Sequence, residues 1–103
     1  MNKIIDIQEA AITYNSYNEP IEEWKNVTGL TGLYASVITT GGREFYAAQK
    51  LNAEVTAVFK LRYIEGITNL MRVKYGGRYF QIFFVNNVDE KNEYLLLSCK
   101  EVV

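Results

Sequence analysis

The chain has 103 residues, a net charge of −1, and 49% hydrophobic against 22% charged residues. This balance fits one globular domain over residues 1–103 and argues against tight non-specific binding to nucleic acid, which needs a basic footprint. One Cys and no His exclude an intrachain disulfide, Ser–His and Cys–His nucleophiles, and His-containing metal sites. No enzyme activity and no cofactor are expected. The longest apolar runs fall far short of the ~20 residues a membrane helix needs, and the N-terminus carries no signal-like apolar stretch. Synthesis in the cytoplasm without a membrane partner is therefore expected.

Ile5 and Ile7 alternate with Asp6 and Gln8, which predicts a short half-buried strand. Asn15 to Pro20 are turn formers, and Asn18 tolerates a left-handed conformation. Ile21 to Val27 is expected to be extended, with Trp24 as an anchor. Thr28 to Gly32 is expected to bend or bulge. Leu33 to Thr39 reads as a third strand.

The one helical signal follows. Thr40 or Gly41 is placed to cap it, and Glu44 suits the first turn. Phe45, Ala48 and Leu51 or Asn52 share one face. A helix of about nine residues is marginal alone and needs a surface to pack on.

Val55 to Tyr63 alternates cleanly, with Val55, Ala57, Phe59, Leu61 and Tyr63 on one face and Thr56, Val58, Lys60 and Arg62 on the other. Glu65 to Thr68 is a turn. Met71, Val73 and Tyr75 alternate with Arg72 and Lys74, and Gly76-Gly77 predicts a tight hairpin of type I′. Tyr79 to Val85 is apolar on both faces, with Phe80, Ile82 and Phe84 on one and Tyr79, Phe83 and Val85 on the other. Asn86 to Asn92 turns, and Glu93 to Val102 is the last strand. The string predicts a mainly β fold: a small antiparallel β-barrel, or a sandwich, of about six strands, with one short helix in a long loop between central strands.

Several residues invite a chemical reading. Cys99 shares parity with Leu95 and Leu97, which predicts a buried core thiol rather than a reactive one. Glu22, Glu23, Asp89 and Glu90 fall in turns or at strand ends, where solvated charges are usual, so a catalytic pair is not expected. Lys60, Arg62, Arg72, Lys74 and Arg78 would share one basic face if their strands paired as a meander. That face reads as a solvated surface, a charge-complementary protein contact, or the stacking-plus-charge surface of a nucleic-acid-binding barrel. The second apolar face of Tyr79 to Val85 is covered by the helix near Phe45 or marks a partner surface. Gly41-Gly42 matches no phosphate-binding fingerprint and reads as a hinge or cap.

Taken in order, these pieces carry a resemblance. Ile5-Asp6-Ile7-Gln8 opens it, and Tyr17-Asn18-Glu19-Pro20-Ile21-Glu22-Glu23-Trp24 follows. Its most distinctive motif is Gly42-Arg43-Glu44-Phe45-Tyr46-Ala47-Ala48-Gln49, leading into Leu51-Asn52-Ala53-Glu54-Val55-Thr56. Ile67-Thr68, Met71-Arg72-Val73, Gly77-Arg78, Asn87-Val88-Asp89-Glu90 and Cys99-Lys100-Glu101-Val102 complete it. Along nearly its whole length the chain resembles the head–tail joining proteins of tailed bacteriophages, also called head-closure, stopper or head–tail adaptor proteins. It departs from their pattern at Asn18, where Gly is frequent, at Glu9, where a basic residue is common, and by a few extra residues near Thr28-Gly29-Leu30.

The resemblance implies a compact β-barrel with a loop-plus-helix excursion. It also implies a structural role in the virion neck, in a ring, generally a dodecamer, of a protein expected to be a monomer in isolation. Such a ring sits between the portal and adaptor complex and the tail or a tail-completion protein. It retains packaged double-stranded DNA, which passes through without sequence-specific binding, and provides the tail's docking surface. Gly41, Gly42, Arg43, Glu44, Phe45, Tyr46, Gln49 and Leu51 are then the candidates for an interface or gating loop within Thr39 to Ala53. That segment is expected to be loosely ordered in the monomer and set by assembly. The alternatives are a small OB-like barrel binding nucleic acid through the basic face, or a tail-completion ring protein.

Overall fold

A computed structural model describes residues 2–39, 43–51 and 54–102 and, within the helix, the side chains of residues 46–50. The elements are β1 (Lys3–Tyr14), β2 (Pro20–Asn26), β3 (Leu33–Ile38), α1 (Arg43–Leu51), β4 (Ala57–Arg62), β5 (Arg72–Tyr75), β6 (Arg78–Asn87) and β7 (Tyr94–Val102), with a 3-10 turn at Val88–Glu90. The expected helix and final strands therefore form. Thr40, Gly41, Gly42, Asn52 and Ala53, on which part of the expected loop falls, lie outside the described residues.

The strands make one antiparallel sheet in the order β2-β1-β3-β4-β7-β6-β5, and an extra β1–β5 pairing closes it on itself. Six strands thus run around a closed circuit, and β2 stands outside it, hydrogen-bonded to β1 alone. Closure gives every strand of the circuit a neighbour on both sides for part of its length, whereas β2 is paired on one side only.

Alternation puts the core inside this circuit. Ala57, Phe59 and Leu61 from β4 meet Leu95, Leu97 and Cys99 from β7 in direct register, and all are buried. Ile5, Ile7, Val73, Phe80 and Ile82 fill the rest. Phe59 packs edge-to-face on Phe80 at 5.0 Å and on Tyr75 at 6.1 Å between ring centroids. Burying a side chain of that size contributes ~1.5–3 kcal/mol, so these inward rows supply much of the stability.

Three local expectations change. β1 is 12 residues long, not short. Its buried alternation ends near Gln8, but Gln8 to Tyr14 continue by pairing with β2, a stretch held by hydrogen bonds rather than burial. The parity of β6 breaks at a bulge between Ile82 and Phe84, where Ile82 pairs with Cys99 and Phe84 with Ser98. The extra residue reverses the facing, so Val85 joins the inner core while Phe83 and Phe84 pack on the outer side. In the β5–β6 hairpin Gly76 alone has positive φ, at 60°, which matches a type II′ rather than a type I′ turn. Elsewhere the turns follow the sequence: Asn18 is left-handed at φ 59°, and Gly29 and Gly32 carry the bend before β3.

Candidate interaction surfaces

The molecule measures 49 × 28 × 25 Å, and the long axis reflects an arm. Beyond Gln8, β1 pairs only with β2, so residues 9–25 form a two-stranded hairpin projecting from the circuit. Seven residues of strand reach about 23 Å at ~3.3 Å each. A two-stranded ribbon is marginal alone, so its root must be fixed.

A polar and aromatic clasp fixes it. The Arg72 guanidinium lies over both the Trp24 ring, 4.3 Å from its centroid, and the Tyr79 ring, 4.1 Å from its centroid. Arg72 Nε donates to Gln8 Oε1 at 2.8 Å, and Gln8 Nε2 donates to Asn26 Oδ1 at 2.8 Å. The clasp joins β1, β2, β5 and β6. The rings' burial of Arg72 lowers its pKa from the ordinary value, but an arginine starts so far above neutrality that it stays charged. On the other edge of β1, Ile7 N–H donates to Leu30 O and Val27 N–H to Ile7 O, both at 2.9 Å, and Gly32 N–H donates to Asp6 Oδ1 at 2.8 Å. These bonds lash the β2–β3 loop to the body.

At its tip, the arm has a built turn. Asn15 Oδ1 accepts from Tyr17 N–H at 2.8 Å and from Glu19 N–H at 3.0 Å, and Asn18 N–H donates to Asn15 O at 3.0 Å. This turn holds up Tyr17, which is 81% exposed, beside exposed Ile12, Tyr14 and Ile21.

A second surface is the outer face under α1. Val58 points away from the core yet is buried, with Ala48 and Val55, against Phe83, Phe84, Leu96 and Ile38. Of the second apolar face expected for Tyr79 to Val85, only Phe83 joins this cluster with the helix residue Ala48; Tyr79 lies at Arg72 and Val85 packs on the inner core, so that face does not form as one surface. Gln49 Nε2 donates to Val55 O at 3.2 Å and ties the helix to the chain that follows it. Tyr46 is exposed on α1. Arg43, Glu44, Phe45 and Leu51 lie in α1, while Gly41 and Gly42 lie outside the described residues.

The basic residues do not gather on one face. β7 and β6 lie between β4, which carries Lys60 and Arg62, and β5, which carries Arg72 and Lys74. A meander β4-β5-β6 would have joined them, but β7 pairs with β4 over six residues instead. Arg72 is in the clasp, and Arg78 forms two 2.8 Å bonds with Glu101. That bonding raises the Arg78 pKa and lowers that of Glu101. Lys60 lies 5.1 Å over the Tyr94 ring. Arg62 lines a groove of about 640 Å³ with Leu33, Tyr34, Leu61, Tyr63, Ile64 and Tyr94.

Nothing in this arrangement is built for covalent chemistry. Glu22 and Glu23 are exposed on β2, and Asp89 and Glu90 sit in the 3-10 turn, so the four carboxylates do not converge as one site. Among the described residues no cluster of three acidic or Cys side chains could hold a metal, and no buried side-chain polar atom lacks a partner. Cys99 is buried, and desolvation pushes its thiol pKa far up.

The described residues thus form a closed β circuit with one covering helix and a projecting arm. The sequence matches the phage head completion proteins over residues 1–102, and the chain belongs to that family. It is accordingly a virion structural protein of the head–tail region, not an enzyme. The fold is similar to that of a Shigella flexneri 2a protein known from its solution structure, with a TM-score of 0.72, 24% identity, and coverage of 98% of this chain and 92% of that one. It is also similar to a chain of the native gene transfer agent virion, with a TM-score of 0.61, 19% identity, and coverage of 99% and 96%. No curated protein matches the sequence.

Sequence reasoning anticipated Trp24 as an anchor but missed that it anchors through Arg72. It also missed Gln8, a buried polar residue whose alternation with Ile7 looked like simple solvent exposure. Its role comes from two non-local strand partners, Asn26 and Arg72, which no local pattern signals.

Proposed function

We propose that this protein forms a homo-oligomeric ring in the virion neck, between the portal and adaptor complex and the tail, where it helps retain packaged DNA and presents the surface on which the tail docks. The observation that carries the reading is the arm of residues 9–25, an ordered projection with open strand edges and exposed apolar side chains on a body whose own sheet is closed. A ring subunit needs two different, mutually complementary surfaces and no chemistry. A net charge of −1 suits a DNA conduit, because a strongly basic lumen would hold DNA through counterion release and oppose its exit.

In this reading the segment from Thr39 to Ala53 contributes contacts to a neighbouring copy or the adaptor, with Tyr46 and Gln49 on α1 among the contacting side chains. Electron microscopy of particles made without this gene tests the role. Tailless heads that have lost DNA, beside complete free tails, are expected. Normal tailed virions would refute it, and full heads beside incomplete tails would move the protein into tail completion.

A further inference from the structure

The arm tip around Tyr17 and the open mouth of the groove are two surfaces that the core, the closed sheet and the Arg72 clasp leave uncovered. We propose that the arm tip of one copy seats in the groove of the next copy, with Tyr17 as its anchor and the groove of Leu33, Tyr34, Leu61, Arg62, Tyr63, Ile64 and Tyr94 as its receptor. This contact rests on the ring reading above and names the surfaces that would build it.

Preorganisation is the first argument. The Asn15-centred hydrogen bonds fix the turn that carries Tyr17, so little entropy is lost when its ring is buried. A rigid, exposed aromatic with a polar tip is the residue type that most often dominates an interface. Tyr17 is 81% exposed, so it does not occupy its own chain's groove.

The second argument is fit. The groove holds about 640 Å³ and has an apolar floor, Leu33 and Leu61, between tyrosine walls. That volume lies inside the ~300–1,000 Å³ range of sites that enclose small organic groups.

Charge gives the contact its direction. Arm residues 9–25 hold Glu9, Glu19, Glu22 and Glu23 against Lys25, a net −3 in a chain of net −1, which leaves +2 on the rest. Two arms therefore repel, while an arm and a body attract. Arg62 lines the groove and Lys60 lies against its Tyr94 wall, with Glu93 the neighbouring carboxylate. A contact between two different surfaces of identical subunits propagates head to tail and closes into a ring when the rotation permits.

The test uses assembled particles in which Tyr17 is replaced by the photoreactive aromatic p-benzoylphenylalanine. Irradiation is expected to give a covalent dimer of this chain, with the link mapping to residues 33–34, 61–64 or 94. A link to the portal, to a tail protein or elsewhere in this chain, or no link at all, overturns the proposal. Lysine-directed crosslinking of unmodified particles separates the two levels. A ladder of homo-oligomers without the arm–groove link refutes the contact and leaves the ring standing, whereas no ladder refutes both. As a second variant, Arg62→Glu is expected to lower the dimer yield about five- to tenfold, and Glu22→Lys with Glu23→Lys to restore it. An unchanged yield in Arg62→Glu contradicts the electrostatic pairing.

Discussion

Trp24 of the arm and Arg72 of the closed circuit are in cation–π contact, the guanidinium 4.3 Å from the centroid of the indole ring, which links the projecting hairpin to the body. The same guanidinium lies 4.1 Å from the centroid of the Tyr79 ring. Replacing Arg72 with Ala removes both cation–π contacts and the bond to Gln8. The expected loss is about 2–3 kcal/mol, from ~0.5–1 kcal/mol for each of two cation–π contacts and ~1 kcal/mol for the hydrogen bond. Arg72→Lys keeps the charge but not the planar guanidinium, so it should recover less than half. Denaturant titration measures the loss. Hydrogen exchange should speed in residues 20–26 while residues 57–62 stay protected, and uniform loss of protection would refute a local clasp.

The β5–β6 turn separates two adjacent glycines. Gly76 has φ +60° and Gly77 has no positive φ, and neither has an atom within 4 Å of where a Cβ would stand. Gly76→Ala should therefore cost about 1–2 kcal/mol through backbone strain alone. Gly77→Ala should be neutral or slightly stabilising, by up to ~1 kcal/mol, because it restricts only the unfolded chain. Equal effects in thermal unfolding would contradict the type II′ assignment.

Cys99 makes stability depend on alkaline pH. Burial raises its thiol pKa in the folded state, while the unfolded thiol ionises near pH ~8.5. Its contribution is fully present below the unfolded pKa. It is lost as pH rises above that value, because the unfolded state releases a proton that the folded state keeps. The limiting slope is about 1.4 kcal/mol per pH unit. Cys99→Ala should remove this component between pH 8.5 and 10, and thiol reagents should react at the unfolding rate. Rapid labelling of the folded protein would show that the thiol is accessible.

Docking of α1 rests on Ala48 against Val55 and Val58. Ala48→Asp places a charge in that contact, and a nine-residue helix has too little intrinsic stability to stay formed without it. Amides of residues 46–50 should lose protection while the inner core around Phe59 keeps its own. Global unfolding would mean that the helix is integral to the core rather than a cover.

Dispersal of the basic residues argues against a nucleic-acid-binding surface. DNA affinity should be weak, and neutralising Lys60, Arg62 and Lys74 together should leave it unchanged across salt concentrations. Tight binding with a steep salt slope, abolished by that triple variant, would restore the OB-like alternative.

Local pattern revealed much of this architecture in the sequence. Alternation in Val55 to Tyr63 located β4 and its inward row, and Leu95, Leu97 and Cys99 located that of β7. Asn18 and the glycines marked turns because few residues tolerate positive φ. What could not be read was non-local. Nothing in β4 states that its neighbour is β7 rather than β5, so the expected basic face did not form. The bulge at Phe83 was hidden because the surrounding residues are apolar on both faces, and parity carries no signal there. The arm was hidden because it is stabilised by pairing and by one distant arginine rather than by a buried stripe. Within the candidate loop, Arg43–Leu51 was legible as a helix, with Ala48 packed on the outer side of the sheet.

Cryo-electron microscopy of the neck in intact particles tests whether copies of this chain ring the channel between head and tail. A closed ring of this fold between the portal complex and the tail is expected, with each arm reaching a neighbouring copy. Density for this chain only in the capsid shell or the distal tail, or as isolated copies at the neck, would contradict it.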